Sequence, residues 1–211
     1  MKYKVGYIDE DSLEVAKYEK DLRAYFEVIG YDIKKGLPLA DLINQVYQSD
    51  IDLLMIDYLM VDKGILIYNG DEVARAFEEI KPRFPIVIFT HEQNQAFPHV
   101  DNPFNICDKA EVKDDTIRFV TKLSKLIEQY KGFVSKRKDL INKLLDKGEK
   151  EGLSPQEKHE LLEAQLELNN LDKRSTEVPL QLLTDKKLED ISKTTKDAEA
   201  FLESLIKKNK K

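Results

Sequence analysis

The chain has 211 residues, of which 41% are hydrophobic and 35% charged, and a formal net charge of −6. No apolar run approaches the roughly 20 residues a bilayer-spanning helix needs, and Met1-Lys2-Tyr3-Lys4-Val5 runs straight into a strand pattern, so no membrane partner and no secretory leader is expected and the default address is cytoplasmic. A single cysteine, Cys107, excludes an internal disulfide, and with three scattered histidines it argues against a structural zinc site.

The elements follow in chain order. Residues 5–8 form a first strand that ends in Asp9-Glu10-Asp11. Ser12 can cap a helix reaching Gly30, with Leu13, Val15, Ala16, Leu22, Phe26 and Ile29 as its apolar positions. Residues 31–35 read as a weakly marked second strand, and 39–47 as a second helix. Residues 53–56 are a continuous apolar run, the mark of a strand buried on both faces of a parallel sheet, and it stops at Asp57. Asn69-Gly70 signals a turn, and Asp71 opens a third helix that ends before Pro82. Residues 86–89 are a fourth buried strand, ending in Thr90. Residues 91–104 contain Pro98 and Pro103 and offer at most a turn or two of helix. A short fifth strand over 105–107 precedes Lys109. Strands alternating with helices predict right-handed crossovers and a parallel, doubly wound sheet.

In such a sheet ligands sit outside the carboxyl ends of the strands. The strand ends here carry Asp9 with Glu10, Asp57, Thr90 and Lys109. Three carboxylates in one crevice repel one another and call for a cation. Oxygen-only ligands suit Mg²⁺, and a hydroxyl with an ammonium beside them is what a phosphoryl group on a carboxylate requires.

The segments Ile8-Asp9-Glu10, Met55-Ile56-Asp57, Ile88-Phe89-Thr90 and Asp108-Lys109, in this order and spacing, resemble the receiver domain of bacterial response regulators. The resemblance covers residues 1–130 and implies a flavodoxin-like five-stranded sheet in the order 2-1-3-4-5. It further implies that Asp57 accepts a phosphoryl group from a histidine kinase or phosphotransfer protein. Mg²⁺ would be held among Asp9, Glu10, Asp57 and the backbone carbonyl of Leu59. Lys109 would pair with the phosphoryl oxygens and Thr90 would move to hydrogen-bond them. The chain departs from the family pattern at several points. Glu10 is longer than the usual aspartate, and His91 follows the switch hydroxyl where a small residue is usual. Ala110 replaces the usual proline, Ile106 the usual aromatic, and Val61 the proline of the loop after Asp57, which has about five extra residues before Gly70-Asp71.

Beyond Lys113 only helix is expected. Val120, Leu123, Ile127, Tyr130, Val134, Ile141 and Leu144 keep a heptad-like spacing, which joins the receiver's last helix to a longer one ending near Lys147, at Gly148 and Gly152. Ser154-Pro155-Gln156-Glu157 starts another helix with a cap, a first-turn proline and a glutamate three residues on. A last helix is expected over 188–205, after a break at Val178-Pro179. This gives two regions: a receiver domain over 1–130, and a helical, coiled-coil-like region over 131–211 that contacts an unidentified downstream protein and pairs two copies through the long helix. The first 112 residues carry a net charge of −9 and the rest +3, and no basic recognition helix follows 154–171, so nucleic acid is not expected as a partner. Two function classes follow. One is a phospho-accepting signalling protein, not an enzyme in the usual sense. The alternative is an unphosphorylated pseudo-receiver acting as an interaction adaptor.

Overall fold

The computed structural model describes residues 2–174. Five strands, β1 (Tyr3–Ile8), β2 (Phe26–Gly30), β3 (Leu53–Ile56), β4 (Ile86–Thr90) and β5 (Ile106–Asp108), form one parallel sheet in the order β2-β1-β3-β4-β5. This is the doubly wound, flavodoxin-like order expected from the sequence. The helices are α1 (Ser12–Leu22), α2 (Leu39–Gln48), α3 (Gly70–Ile80), α4 (Gln93–Ala96), α5 (Glu111–Asp114), α6 (Thr116–Glu151) and α7 (Pro155–Asn170).

Alternate residues of the central strands feed two separate cores. Leu54, Ile56 and Ile88 pack with Leu42, Ile43 and Val46 of α2 and with Val73 and Phe77 of α3. Leu53, Met55, Val87 and Phe89 point the other way, onto Tyr18 and Leu22 of α1 and Phe119, Leu123 and Ile127 of α6. Both faces being covered explains why β3 and β4 read as unbroken apolar runs.

The chain departs from expectation early. Helix α1 ends at Leu22 rather than Gly30, and its cap is Asp11, whose side chain accepts from the Leu13 amide at 2.9 Å. Phe26, Val28 and Gly30 belong to β2, in register with Tyr3, Val5 and Tyr7. The spacing Leu22–Phe26–Ile29 fits a helix, but Phe26 and Val28 also alternate as a strand does. The ladder to β1 pairs the backbone there and buries Phe26 to 2% exposure, and this tertiary gain decides between the two. Residues 31–35 are irregular instead of a strand.

The segment after β4 holds a single turn of helix, α4, and one 3-10 turn at Pro103–Asn105, in keeping with its prolines. Helix α6 passes through Gly148 and stops at Gly152, whose φ of 79° is the left-handed conformation glycine tolerates. Gly148 lies under Leu153, so its missing side chain makes room rather than ending the helix. Helix α7 starts with the expected capping box between Ser154 and Glu157. It packs along α6, and the Lys173 amide after it donates to the Ile80 carbonyl at the end of α3 (2.9 Å). The compact unit therefore spans Met1–Lys173. The helix expected over 188–205 lies outside the described residues.

Candidate functional site

Strand register builds the site. Ile8 is aligned with Ile56, and the Asp57 amide donates to the Ile8 carbonyl at 2.8 Å, so Asp9 and Asp57 leave neighbouring strands side by side. Thr90 is aligned with Asp108, and the Lys109 amide donates to the Thr90 carbonyl at 3.2 Å. Asp9, Glu10 and Asp57 each offer a carboxylate oxygen within 4.8 Å of the others.

The Lys109 ammonium joins the cluster, 2.8 Å from Asp9 Oδ2 and 3.1 Å from Asp57 Oδ1. Asp9 is held on both oxygens: Oδ2 also accepts from the Tyr7 hydroxyl at 2.5 Å, and Oδ1 accepts from the Asp11 amide at 2.8 Å. Beneath them Tyr7, Tyr18 and Phe89 meet edge to face. The Glu10 side chain is only 6% exposed, and its Oε2 has no hydrogen-bond partner.

Burial is the main force on these groups. It raises the Asp57 carboxyl to about 6; Asp9 adds to the shift, while Lys109 opposes it. Burial also raises Glu10, with help from Asp9 and Asp57 and opposition from its own backbone and Lys63. For Lys109, burial alone would lower the ammonium, but Asp57 and Asp9 outweigh it and hold it above its ordinary value. The Tyr7 hydroxyl is held protonated, by burial first and then by Asp9.

The loop after Asp57 is tightly fixed. The Gly70 amide donates to the Tyr58 carbonyl at 2.9 Å and the Met60 amide to Asn69 Oδ1 at 3.2 Å, so the backbone on either side of Leu59 is pinned. A Cβ on residue 70 would lie 2.1 Å from the Asp57 carbonyl oxygen, so only glycine fits there.

Of the residues expected from the sequence, Asp9, Glu10, Asp57 and Lys109 meet in one pocket. Thr90 is buried beside it, with its hydroxyl engaged in its own turn, accepting from the Glu92 amide at 3.0 Å. Exposed His91 leans toward Asp108, with Nδ1 3.5 Å from a carboxylate oxygen. Ala110 uses the amide hydrogen a proline would lack, donating to Asp108 Oδ1 at 2.8 Å. Cys107 is fully buried. Sequence reasoning missed Tyr7 and Lys63. Tyr7 lies two residues before Asp9, which directly follows β1, hence on the same side, and that spacing was a usable signal.

An orphaned, buried Glu10 oxygen and an all-oxygen donor set of three acids fit a small hard cation such as Mg²⁺. No protein-family model and no curated protein matches the chain. Solved structures do. A response regulator receiver protein from Sinorhizobium medicae is 21% identical, over 60% of this chain and 95% of that one, with a TM-score of 0.46. The receiver domain of nitrogen regulatory protein C is 16% identical, over 61% and 97%, at 0.45. The anti-anti-sigma factor PhyR from Bartonella quintana is 17% identical, over 64% and 51%, at 0.47. No helix among the described residues is long and apolar enough to cross a membrane.

Proposed function

We propose that this chain is a receiver-type signalling protein of a two-component system, with Asp57 as the phosphoryl acceptor. One observation carries the reading: the buried Lys109 ammonium bridges Asp9 and Asp57 beside a glutamate oxygen that has no partner. In the transfer, an Asp57 oxygen bonds to phosphorus as the P–N bond to a donor histidine breaks, returning its electron pair to the ring nitrogen. The donor is a histidine kinase or a phosphotransfer protein. Lys109 then pairs with the phosphoryl oxygens, and the Thr90 hydroxyl leaves the Glu92 amide to bond to them. Asp9, Glu10, Asp57 and the Leu59 carbonyl would hold Mg²⁺. Bound there, the cation neutralises charge on the phosphoryl oxygens.

Output in this reading is protein–protein contact by the helical region, in the cytoplasm and without nucleic acid. It includes pairing of two copies through the long helix α6, beside which Leu162 and Leu166 of α7, one turn apart, stay 42% and 51% exposed. Light scattering at tens of micromolar should give the mass of two chains. A one-chain mass would leave α7 itself as the cover of the α6 seam.

The central test is incubation with acetyl phosphate and Mg²⁺, followed by intact-mass measurement. The expected result is one added phosphoryl group, lost in Asp57→Asn, together with a thermal shift on adding beryllofluoride. No gain by the wild-type protein would favour the adaptor reading.

A further inference from the structure

The loop between β3 and α3 is longer than a receiver needs, yet it is not slack. Met60, Leu66 and Tyr68 are buried, the Gly36 amide donates to the Ile65 carbonyl at 2.8 Å, and the Tyr68 hydroxyl donates to the Leu37 carbonyl at 3.0 Å. Its tip is a turn in which the Gly64 amide donates to the Val61 carbonyl at 2.9 Å, with Gly64 at φ 62°. This turn carries Lys63 to the mouth of the acid pocket. The Lys63 ammonium lies 2.6 Å from Asp11 Oδ2 and 3.9 Å from Glu10 Oε1. Asp11 is itself fixed, because its other oxygen caps α1 through the Leu13 amide. It therefore anchors the lysine rather than joining the three acids. The remaining Glu10 oxygen, Oε2, is the unpartnered one.

We propose that Lys63 acts as a built-in counter-cation: held by Asp11 beside Glu10 at the pocket mouth, it weakens the pocket's hold on a divalent cation. The proposal rests on the reading of Asp9, Glu10 and Asp57 as a metal-binding set. The physical reason is direct. A fixed positive charge beside a ligand carboxylate repels a second cation arriving at that carboxylate. The lysine is about half exposed, at 47%, so the repulsion is partly screened and depends on salt. Three consequences follow. Removing the charge should tighten Mg²⁺ binding. Keeping the charge on a different side chain should not. The difference should shrink as ionic strength rises.

The experiment is Mg²⁺ titration by calorimetry on the full chain, in the absence of any phosphoryl donor. The proteins are the wild type, Lys63→Met and Lys63→Arg. Lys63→Met is expected to bind Mg²⁺ about fivefold more tightly at low salt, an effect of the size a half-exposed charge pair produces on a doubly charged ion. The gain should fall to less than about twofold at high salt. Lys63→Arg should stay close to the wild type. If the wild type binds and Lys63→Met binds equally or more weakly, or its gain does not respond to salt, the inference is overturned while the phospho-acceptor reading stands. If none of the three proteins binds Mg²⁺, the inference and the metal-binding reading of Asp9, Glu10 and Asp57 fail together. Thermal melting of each variant confirms folding, which a solvent-facing loop-tip substitution should leave intact.

Discussion

Leu123 and Leu144 lie three heptads apart on the same helix, α6, and both are buried. Leu123 sits under the sheet among Phe89, Phe119 and Ile127, in a core closed on all sides. Leu144 lies in the part of α6 that pairs with α7, where Leu161, Ala164 and Gln165 are the buried residues of the second helix and Leu171 is buried just after it. Polar links also join the two helices there. Arg137 pairs with Glu167, Lys147 with Glu157 at 2.6 Å, and the Ser154 cap starts α7. One helix thus passes from a three-dimensional core to a two-helix contact, and the same residue type is worth less at its far end. The acid pocket is a third case, in which burial works against the groups that are buried.

The largest expected effect is at the junction between pocket and core. Gly70→Ala places a methyl group 2.1 Å from the Asp57 carbonyl oxygen, where backbone must move. It should cost about 4 kcal/mol or more in urea unfolding, with the pocket distorted in the fraction that folds. Next come the two leucines. Leu123→Ala should cost about 3 kcal/mol and Leu144→Ala about half of that, because the hairpin can close over the lost volume and the core cannot. Equal costs in urea unfolding would erase the distinction between the two ends of α6.

The pocket should respond with the opposite sign. The folded-state pKa of Asp57, about 6, lies above the value of 3.8 for an unperturbed carboxyl. Between those values the folded chain holds more protons than the unfolded one, so stability falls as pH rises through this window. In EDTA, Asp57→Asn should therefore be more stable than the wild type by about 2 kcal/mol at pH 7.5, with the difference gone near pH 4. Saturating Mg²⁺ should narrow it. Wild-type protein as stable as Asp57→Asn at neutral pH in EDTA would mean the pocket is not strained by burial. The smallest effect is at the hairpin turn, where Ser154→Ala should cost about 1 kcal/mol by removing the cap, with no change in Mg²⁺ binding.

Much of this was legible in the chain, for identifiable reasons. Strands β3 and β4 are covered on both faces, so their apolar runs could be read directly, and the residues ending them fall at the site by the geometry of a parallel sheet. Asn69 and Gly70 marked a boundary, though as the cap and first residue of α3 rather than as a turn before Asp71, and Ser154 with Glu157 announced α7. The α1–β2 boundary was hidden because Phe26 fits a helical period with Leu22 and Ile29 and an extended one with Val28, and the competing ladder comes from β1, a distant part of the sequence. Lys63 was hidden for a different reason. An insertion's length is visible in sequence, but where its tip lands depends on buried anchors such as Leu66 and Tyr68 that carry no periodic signal.

Helix α3 has a mechanical consequence. Its first residue, Gly70, is hydrogen-bonded to Tyr58, the neighbour of Asp57, and its last, Ile80, accepts from Lys173 at the end of the hairpin. Lys81, just beyond it, is 3.6 Å from Asp172. Eleven residues of continuous helix, a rod about 16 Å long, thus join the backbone around the acid pocket to the return of the α6–α7 hairpin. The loop around Asp57 and the return of the hairpin are thus the two ends of one rigid element.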